Sequence, residues 1–348
     1  MSDIDFSKFK EFDNHKSVTK FEDKSAGLVC FVAIHNDILG LPAVGGTRML
    51  AYGSQDEAIA DVLKLSRAMT YKCALANVPH GGAKGVIIGD SKKDKTPALL
   101  KAYAEAINSL RGIFYTGEDV GISQNDVNIM LKTSNYFIGR PDLAQDPSPY
   151  AALSTFYSIK SAVFLLFSVK SLNGVKVAIK GVGKVGGRLA ELLSEENAIV
   201  YVSDIDEAAL LEVKRRVPRV KIVEKEKIYK LPADVYAPCA LGNEFSTDNV
   251  MQIRAKIICG AANNQLASSE AGDLIFKRGI VYVPDYIANS GGLIDVVDEL
   301  DKKGYSRDRV LNNIEKVGDM VKSVIKTSQE KNLPTSIIAD SIAESYFS

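Results

Sequence analysis

Lys72, Lys84 and Asp119 are the side chains of this sequence best suited to moving protons. Lys84 follows Lys72 by twelve residues, within Val78-Pro79-His80-Gly81-Gly82-Ala83-Lys84-Gly85-Val86. Small residues surround it, and the apolar run Val86-Ile87-Ile88 comes next. Lysine is rarely buried without a reason, and an amine held against a buried strand beside a second lysine is suited to act as a base. The plainer alternative is two lysines snorkelling to the surface. Asp119 stands in the glycine-flanked loop Tyr115-Thr116-Gly117-Glu118-Asp119-Val120-Gly121, after a short apolar strand. There it is a proton donor or a helix cap, since a helix start follows at Ser123. With only His15, His35 and His80, no H-E-x-x-H and no Cys/His cluster, no metal site is expected.

A second constellation lies further along. Gly181-Val182-Gly183-Lys184-Val185-Gly186 follows the apolar strand at 175–179 and opens a helix that carries Leu189, Leu192 and Leu193 on its inner face. Asp204 ends the next strand, 23 residues after Gly181. G-x-G-x-x-G alone says little, but strand, turn, helix, strand and acid in this order form the dinucleotide fingerprint. Gly181 allows the tight turn, Gly183 the approach of a pyrophosphate and Gly186 close helix packing, with the helix N-terminus facing the phosphates. Asp204 would accept from both ribose hydroxyls and repel a 2′-phosphate, so NAD is expected over NADP. Lys184 is either a phosphate contact or a solvated lysine.

These groups need two α/β units to hold them. In the first, Gly27–Ile34 reads as a strand, Ser54-Gln55-Asp56-Glu57 as a capping box, Thr96-Pro97 as a helix start and Ser123–Asp126 as another. Residues 139–150 hold three prolines and no apolar period, which marks a linker. Strands at 175–179, 199–203, 235–237 and 257–259 then alternate with helices at 184–195 and 206–216, the pattern of a parallel sheet covered on both faces. The expected division is 1–140 and 141–325, with a terminal helix at 326–348 returning to the first domain. A chain of 348 residues, 46 % hydrophobic and 25 % charged, is long enough for both cores. Its 43 basic and 43 acidic residues balance, leaving no electrostatic footprint for nucleic acid. No spanning helix and no secretory signal are expected, and the four scattered cysteines point to a reducing cytoplasm.

The motifs, taken in order, resemble the amino-acid dehydrogenase family that deaminates glutamate, leucine, phenylalanine and valine. The resemblance is carried by Gly45-Gly46-Thr47-Arg48-Met49, Met69-Thr70-Tyr71-Lys72, Gly81-Gly82-Ala83-Lys84 and Gly117-Glu118-Asp119-Val120-Gly121. It continues through Ala237-Pro238-Cys239-Ala240-Leu241-Gly242, Gly260-Ala261-Ala262-Asn263-Asn264-Gln265-Leu266 and Pro284-Asp285-Tyr286-Ile287. It implies a substrate and oligomerisation domain followed by a Rossmann-type domain with the active site in a cleft. It also implies reversible oxidative deamination of an L-amino acid to a 2-oxo acid and ammonia by a homo-oligomer. Lys72 would bind the substrate carboxylate, Lys84 would activate water, and Asp119 would shuttle the proton of the amine. Gly45, Gly46 and Asn263 would line the substrate. Gly181, Gly183, Lys184, Val185, Gly186, Asp204, Ala240, Asn263 and Asn289 would surround the cofactor.

The resemblance also bears on which amino acid is bound. Val44 stands where glutamate-specific members resemble one another in a lysine that grips the second carboxylate, so glutamate is disfavoured. Gly117, Leu293 and Val296 match the other pocket positions. Branched-chain relatives tend to carry alanine and valine, and aromatic ones glycine and leucine, at the positions of Gly117 and Leu293. Read as an absent methyl that deepens the pocket, Gly117 favours an aromatic substrate, with leucine, other branched-chain substrates or tryptophan as alternatives. As a loop glycine it has no such role. The sequence departs from the pattern in an extra residue near Leu39-Gly40-Leu41-Pro42 and in Ser91, Lys184 and Asp295. A shikimate-type dehydrogenase and a catalytically silent nucleotide-binding protein are the competing classes; neither needs two lysines beside a glycine pair.

Overall fold

Alternating burial along the strands of the first unit sorts its side chains onto two faces. The computed structural model describes residues 4–37, 41–140, 143, 146–240 and 242–347. Leu39, Gly40, Leu241 and parts of the proline-rich linker lie outside the described residues. The unit contains β1 (Ser17–Asp23), β2 (Leu28–Ile34), β3 (Ala43–Leu50), α1 (Gln55–Leu75), β4 (Ala83–Ile88), α2 (Pro97–Ser109), β5 (Phe114–Gly117) and α3 (Gln124–Met130). Its sheet runs β1-β2-β4-β3-β5. β1, β2 and β4 pair antiparallel, while β3 pairs parallel with both β4 and β5. Cys30, Val32, Ala43, Met49, Ala83 and Ile87 pack on Leu99, Leu100, Tyr103 and Ile107 of α2. Phe31, Ala33 and Val86 face the other way, onto Ala58, Ile59, Val62 and Leu63 of α1. By the period of two, Lys84 shares the α1 face with Val86, and Val44, Gly46 and Arg48 share it from β3.

Local chemistry sets the helix starts. Ser54 accepts the Glu57 N–H at 3.2 Å, and Glu57 returns a carboxylate to the Gly53 N–H at 2.8 Å. Thr96 caps α2 with Pro97 in its first turn, and Ser123 and Asp126 form a reciprocal capping box on α3. A cap of this kind contributes about 1 kcal/mol.

The second unit contains α4 (Ser148–Phe167), β6 (Lys176–Lys180), α5 (Lys184–Glu195), β7 (Ile199–Ser203), α6 (Glu207–Arg216), β8 (Lys221–Ile222), β9 (Val235–Pro238), α7 (Thr247–Val250), β10 (Ile257–Ile258), α8 (Ser269–Lys277), β11 (Val281–Tyr282), α9 (Asp285–Ala288), α10 (Gly291–Val297), α11 (Arg307–Lys331) and α12 (Thr335–Glu344). Its six strands are all parallel, in the order β11-β10-β9-β6-β7-β8. The winding reverses between β6 and β9, the crevice where doubly wound sheets bind ligands at their carboxyl ends.

Chain contacts divide the molecule into Met1–Asp146 with Val296–Tyr305 and Ala343–Ser348, and Pro147–Asp295 with Ser306–Ile342. This differs from the expected 140/141 boundary and from a return of the whole segment 326–348. Close packing accounts for it: a Cβ at Gly318 of α11 would lie 2.6 Å from Ser161 Oγ of α4, so α11 lies tight on the second unit. Thr335 donates to the Tyr282 carbonyl and Tyr286 to Asp340, which ties α12 there as well. In the first unit, Glu344 accepts from Tyr71, and Phe347 packs edge-on against the rings of His35 and Tyr71.

α4 is long and apolar enough to cross a membrane by length and composition alone. Half of it is buried within the second unit, and its Ser154 and Thr155 hydroxyls donate to the Ala288 carbonyl, as in a core helix.

His15 and His35 are buried edge to face at 4.9 Å. Burial, then the neighbouring His15, pushes His35 down to about 4 from the ordinary 6.5. The folded state thus takes up fewer protons than the unfolded chain between those values. Stability from this group is complete above pH 6.5 and is lost as pH falls toward 4. The loss is on the order of 3 kcal/mol, enough to lower the melting temperature by several degrees. A His35→Gln variant, melted across the same pH range, should show a shallower fall; an unchanged slope would assign the loss to other groups.

Candidate active site

An ion pair between a buried lysine and a half-buried carboxylate lies on the α1 face of the sheet. Lys84 of β4, 6 % exposed, places Nζ 2.5 Å from Oδ2 of Asp119 in the loop after β5. Arg48 of β3 approaches the same oxygen, with Nε at 3.6 Å. The Val120 N–H donates to the other carboxylate oxygen at 2.7 Å. Burial alone would raise the Asp119 carboxyl; the charges of Lys84 and Arg48 outweigh it and hold the group below its ordinary value. Asp119 is therefore a fixed anion beside an ammonium, and the pair can exchange a proton with a third group brought between them. The ion-pair partner of Lys84 in the structure is this carboxylate. Asp119 caps no helix, since Ser123 does that.

Close backbone approach sets the positions of these groups. A Cβ at Gly45 would fall 1.8 Å from the Ala83 carbonyl oxygen, and one at Gly46 would fall 2.6 Å from that of Glu118. The glycine pair lets β3 lie against the strand of Lys84 and the loop of Asp119. Lys72 occupies the last turn of α1. Two residues before it, Thr70 Oγ1 accepts the Gly82 N–H at 3.1 Å, which staples the end of α1 to the start of β4, two residues before Lys84. Val44 is fully buried on the same face. Gly117 has a different reason from the one its sequence suggests: a Cβ there would lie 2.8 Å from the Ile138 carbonyl oxygen. Backbone, and not open pocket, takes up the missing methyl.

In the second unit the glycine turn has the expected build. Gly181 holds φ +94°, and a Cβ on it would lie 2.7 Å from the Ala240 nitrogen, so the turns after β6 and β9 touch. A Cβ at Gly186 would meet the Gly181 carbonyl oxygen at 1.9 Å. Around Gly183 there is nothing within 4 Å, which leaves that face open to a ligand. Lys184 is exposed and Val185 half-buried at the first turn of α5. Asp204 Oδ2 accepts the Val182 N–H at 2.6 Å and Oδ1 the Asp206 N–H at 3.0 Å. Each oxygen keeps a lone pair for a ribose hydroxyl. Asn289 Nδ2 donates to Asn263 Oδ1 at 2.7 Å, so those two residues come together as one amide pair. Leu293, buried, and Val296, half-buried, stand one turn apart on α10 and share a face.

Sequence reasoning gave Arg48 no role, nor Asp61 and Tyr52 behind it. Arg48 Nη1 donates to Asp61 Oδ2 at 3.1 Å, and the Tyr52 hydroxyl donates to the same oxygen at 2.6 Å. The available signal was strand alternation, which turns Arg48 to the face of Val44 and Gly46. Among the described residues no group of three His, Cys, Asp or Glu could hold a metal.

Residues 15–137 match the family model for the Glu/Leu/Phe/Val dehydrogenase dimerisation domain, and residues 150–345 that for glutamate/leucine/phenylalanine/valine dehydrogenase. The chain is 39 % identical to a phenylalanine dehydrogenase of Bacillus thermotolerans, covering 98 % of this chain and 90 % of the relative. It is 40 % identical to a leucine dehydrogenase of Geobacillus stearothermophilus, over 98 % and 93 % of the two. The crystal structure of L-tryptophan dehydrogenase from Nostoc punctiforme superposes with a TM-score of 0.85 at 37 % identity, covering 96 % of each chain. With both of its segments matched and relatives aligned over nearly its whole length, this chain belongs to the Glu/Leu/Phe/Val dehydrogenase family of amino-acid dehydrogenases, oxidoreductases that act on CH–NH2 donors.

Proposed function

We propose that the protein catalyses the reversible, NAD-dependent oxidative deamination of an apolar L-amino acid, with an aromatic one as its first choice. The observation that carries this reading is the pairing of buried Lys84 with Asp119. Asp119, kept ionised, accepts a proton from the substrate amine. Lys84 exchanges a proton with the water that replaces the amine. Lys72 offers an ammonium to the substrate carboxylate. What NAD supplies when bound is a hydride acceptor. Gly181, Gly183, Val185 and Gly186 would cradle its pyrophosphate, with Lys184 beside them, and Ala240, Asn263 and Asn289 would line its nicotinamide half. The open face at Gly183 and the spare lone pairs of Asp204 fit that group.

The substrate choice rests on apolar residues. Buried Val44 offers no partner to a second carboxylate, and burying an unpaired ion costs several kcal/mol, so glutamate is disfavoured. Leu293 and Val296 suit an apolar side chain. Gly117 no longer argues for a ring, because Ile138 fills its space, so aromatic preference rests on Val44 and Leu293. Leucine, which stands in the names of one set of relatives, tryptophan, which stands in the name of a relative of known structure, and other branched-chain amino acids are the alternatives. Initial rates of NADH formation across phenylalanine, tryptophan, leucine, valine, methionine and glutamate test the reading. Phenylalanine should exceed leucine in kcat/KM by about tenfold, the value of a methyl or two in an apolar pocket. Glutamate as the best substrate would overturn it.

A homo-oligomer assembled through residues 15–137 is part of the proposal, supported by the dimerisation-domain match. The free thiols of Cys30, Cys73, Cys239 and Cys259 suit a reducing cytoplasm. Asp204→Ser should weaken NAD several-fold and narrow its advantage over NADP, because the charge that repels a 2′-phosphate is gone. Equal use of both cofactors by the native enzyme would remove the role given to Asp204.

A further inference from the structure

Arg48 holds a hydrogen-bond donor in reserve beside the reacting pair. Its Nη1 is committed to Asp61 on α1. Its Nε is buried and, among the described residues, has no hydrogen-bond partner. That nitrogen lies 3.6 Å from Asp119 Oδ2, the oxygen that Lys84 meets at 2.5 Å. A carboxylate oxygen accepts two such bonds, and among the described residues Lys84 alone lies at hydrogen-bond length from this one. A lysine ammonium has three N–H donors, so Lys84 can serve Asp119 and a substrate or water together. Whenever Lys84 gives up its proton or leans toward the substrate, the half-buried carboxylate loses part of the hold of its nearest cation.

We propose that Arg48 is the positioning residue of Asp119: when the Lys84 ammonium turns to substrate or water, Arg48 Nε closes to hydrogen-bond length and keeps the carboxylate in place and ionised. This rests on the proton-exchange role given to Lys84 and Asp119 above. The charged and titratable groups around the carboxylate are Lys84 from β4 and Arg48 from β3, with Asp61 of α1 and Tyr52 behind the guanidinium. Asp61 anchors the guanidinium by Nη1, leaving Nε as the edge nearest Asp119. Arg48 touches no reacting atom; it acts through Asp119.

The test compares Arg48→Gln, Arg48→Lys and Asp61→Asn in the full-length enzyme with NAD and its best amino acid. Arg48→Gln should lower kcat by about tenfold to a hundredfold while KM for the amino acid stays within about threefold, and the acid limb of its kcat–pH profile should move to higher pH. Arg48→Lys, which keeps the charge but not the fork, should fall between Arg48→Gln and wild type. Asp61→Asn keeps an amide oxygen to accept from Nη1, and so keeps the guanidinium oriented, while it discharges the ion pair between β3 and α1; it should keep kcat within about threefold. A purely structural Arg48 would instead make Asp61→Asn fall with Arg48→Gln, and that result overturns the proposal, as does native kcat in Arg48→Gln. Should Arg48→Gln fail to fold, Arg48→Lys decides: a reduced kcat at native KM supports the proposal and native kcat overturns it. Wild-type turnover separates the two levels of the account. Without it both readings fall, whereas a turning-over wild type beside an unaffected Arg48→Gln removes this inference alone.

Discussion

Replacing Lys84 with alanine is expected to reduce kcat for amino-acid oxidation by about a thousandfold or more, at the upper end of what a single acid–base group contributes. NAD affinity, read by titration calorimetry, should stay within about twofold, because the glycine turn and Asp204 belong to the other unit of the chain. The substitution also strips Asp119 of the cation at 2.5 Å and leaves it Arg48 at 3.6 Å. Breaking a buried pair in this way costs about 3–5 kcal/mol when nothing replaces the partner. Arg48 and partial solvent access to the carboxylate should keep the loss at the lower end. Near-native turnover in Lys84→Ala would make the glycine-flanked lysine a structural feature.

Asp119→Asn should be nearly as damaging, with kcat lower by about a hundredfold to ten-thousandfold and KM little changed, since the amide keeps the shape but cannot accept the proton. It should also change the acid limb of stability. The Asp119 carboxyl is held below its ordinary value in the folded state. Its contribution is therefore present above the ordinary value of 3.8 and is lost as pH falls through the lower folded one. Thermal melts below about pH 4 should fall less steeply in Asp119→Asn than in wild type. An identical slope in the two proteins would mean that the Lys84 contact contributes nothing to the folded state.

What the sequence made legible was local chemistry. Ser54, Thr96 and Ser123 cap helices through bonds that span three residues, and such bonds are written in the adjacent letters. The turn at Gly181–Gly186 and the strand ending near Asp204 were equally readable, because their order along the chain is itself the signal. What escaped depends on pairing between distant segments. β1 and β3 are strands only in company, one at the edge of its sheet and the other between β4 and β5. The union of Lys84 with Asp119 needs β4 and the loop after β5 to reach the same end of the sheet, and no spacing rule states that. Arg48 looked like one more letter of a glycine motif until the sheet turned it toward Asp61 and Asp119. Gly117 reads as an absent methyl in the sequence, whereas the fold puts the Ile138 carbonyl where that methyl would go. Glycine means close approach as readily as it means space.

The most direct measurement is the stoichiometry of a single reaction: NADH, 2-oxo acid and ammonia followed together when the purified enzyme meets NAD and phenylalanine. The account predicts all three in equal amounts, with none formed by Lys84→Ala. If no apolar L-amino acid yields NADH, or if NADH appears without ammonia, the assignment of Lys84 and Asp119 to oxidative deamination is contradicted.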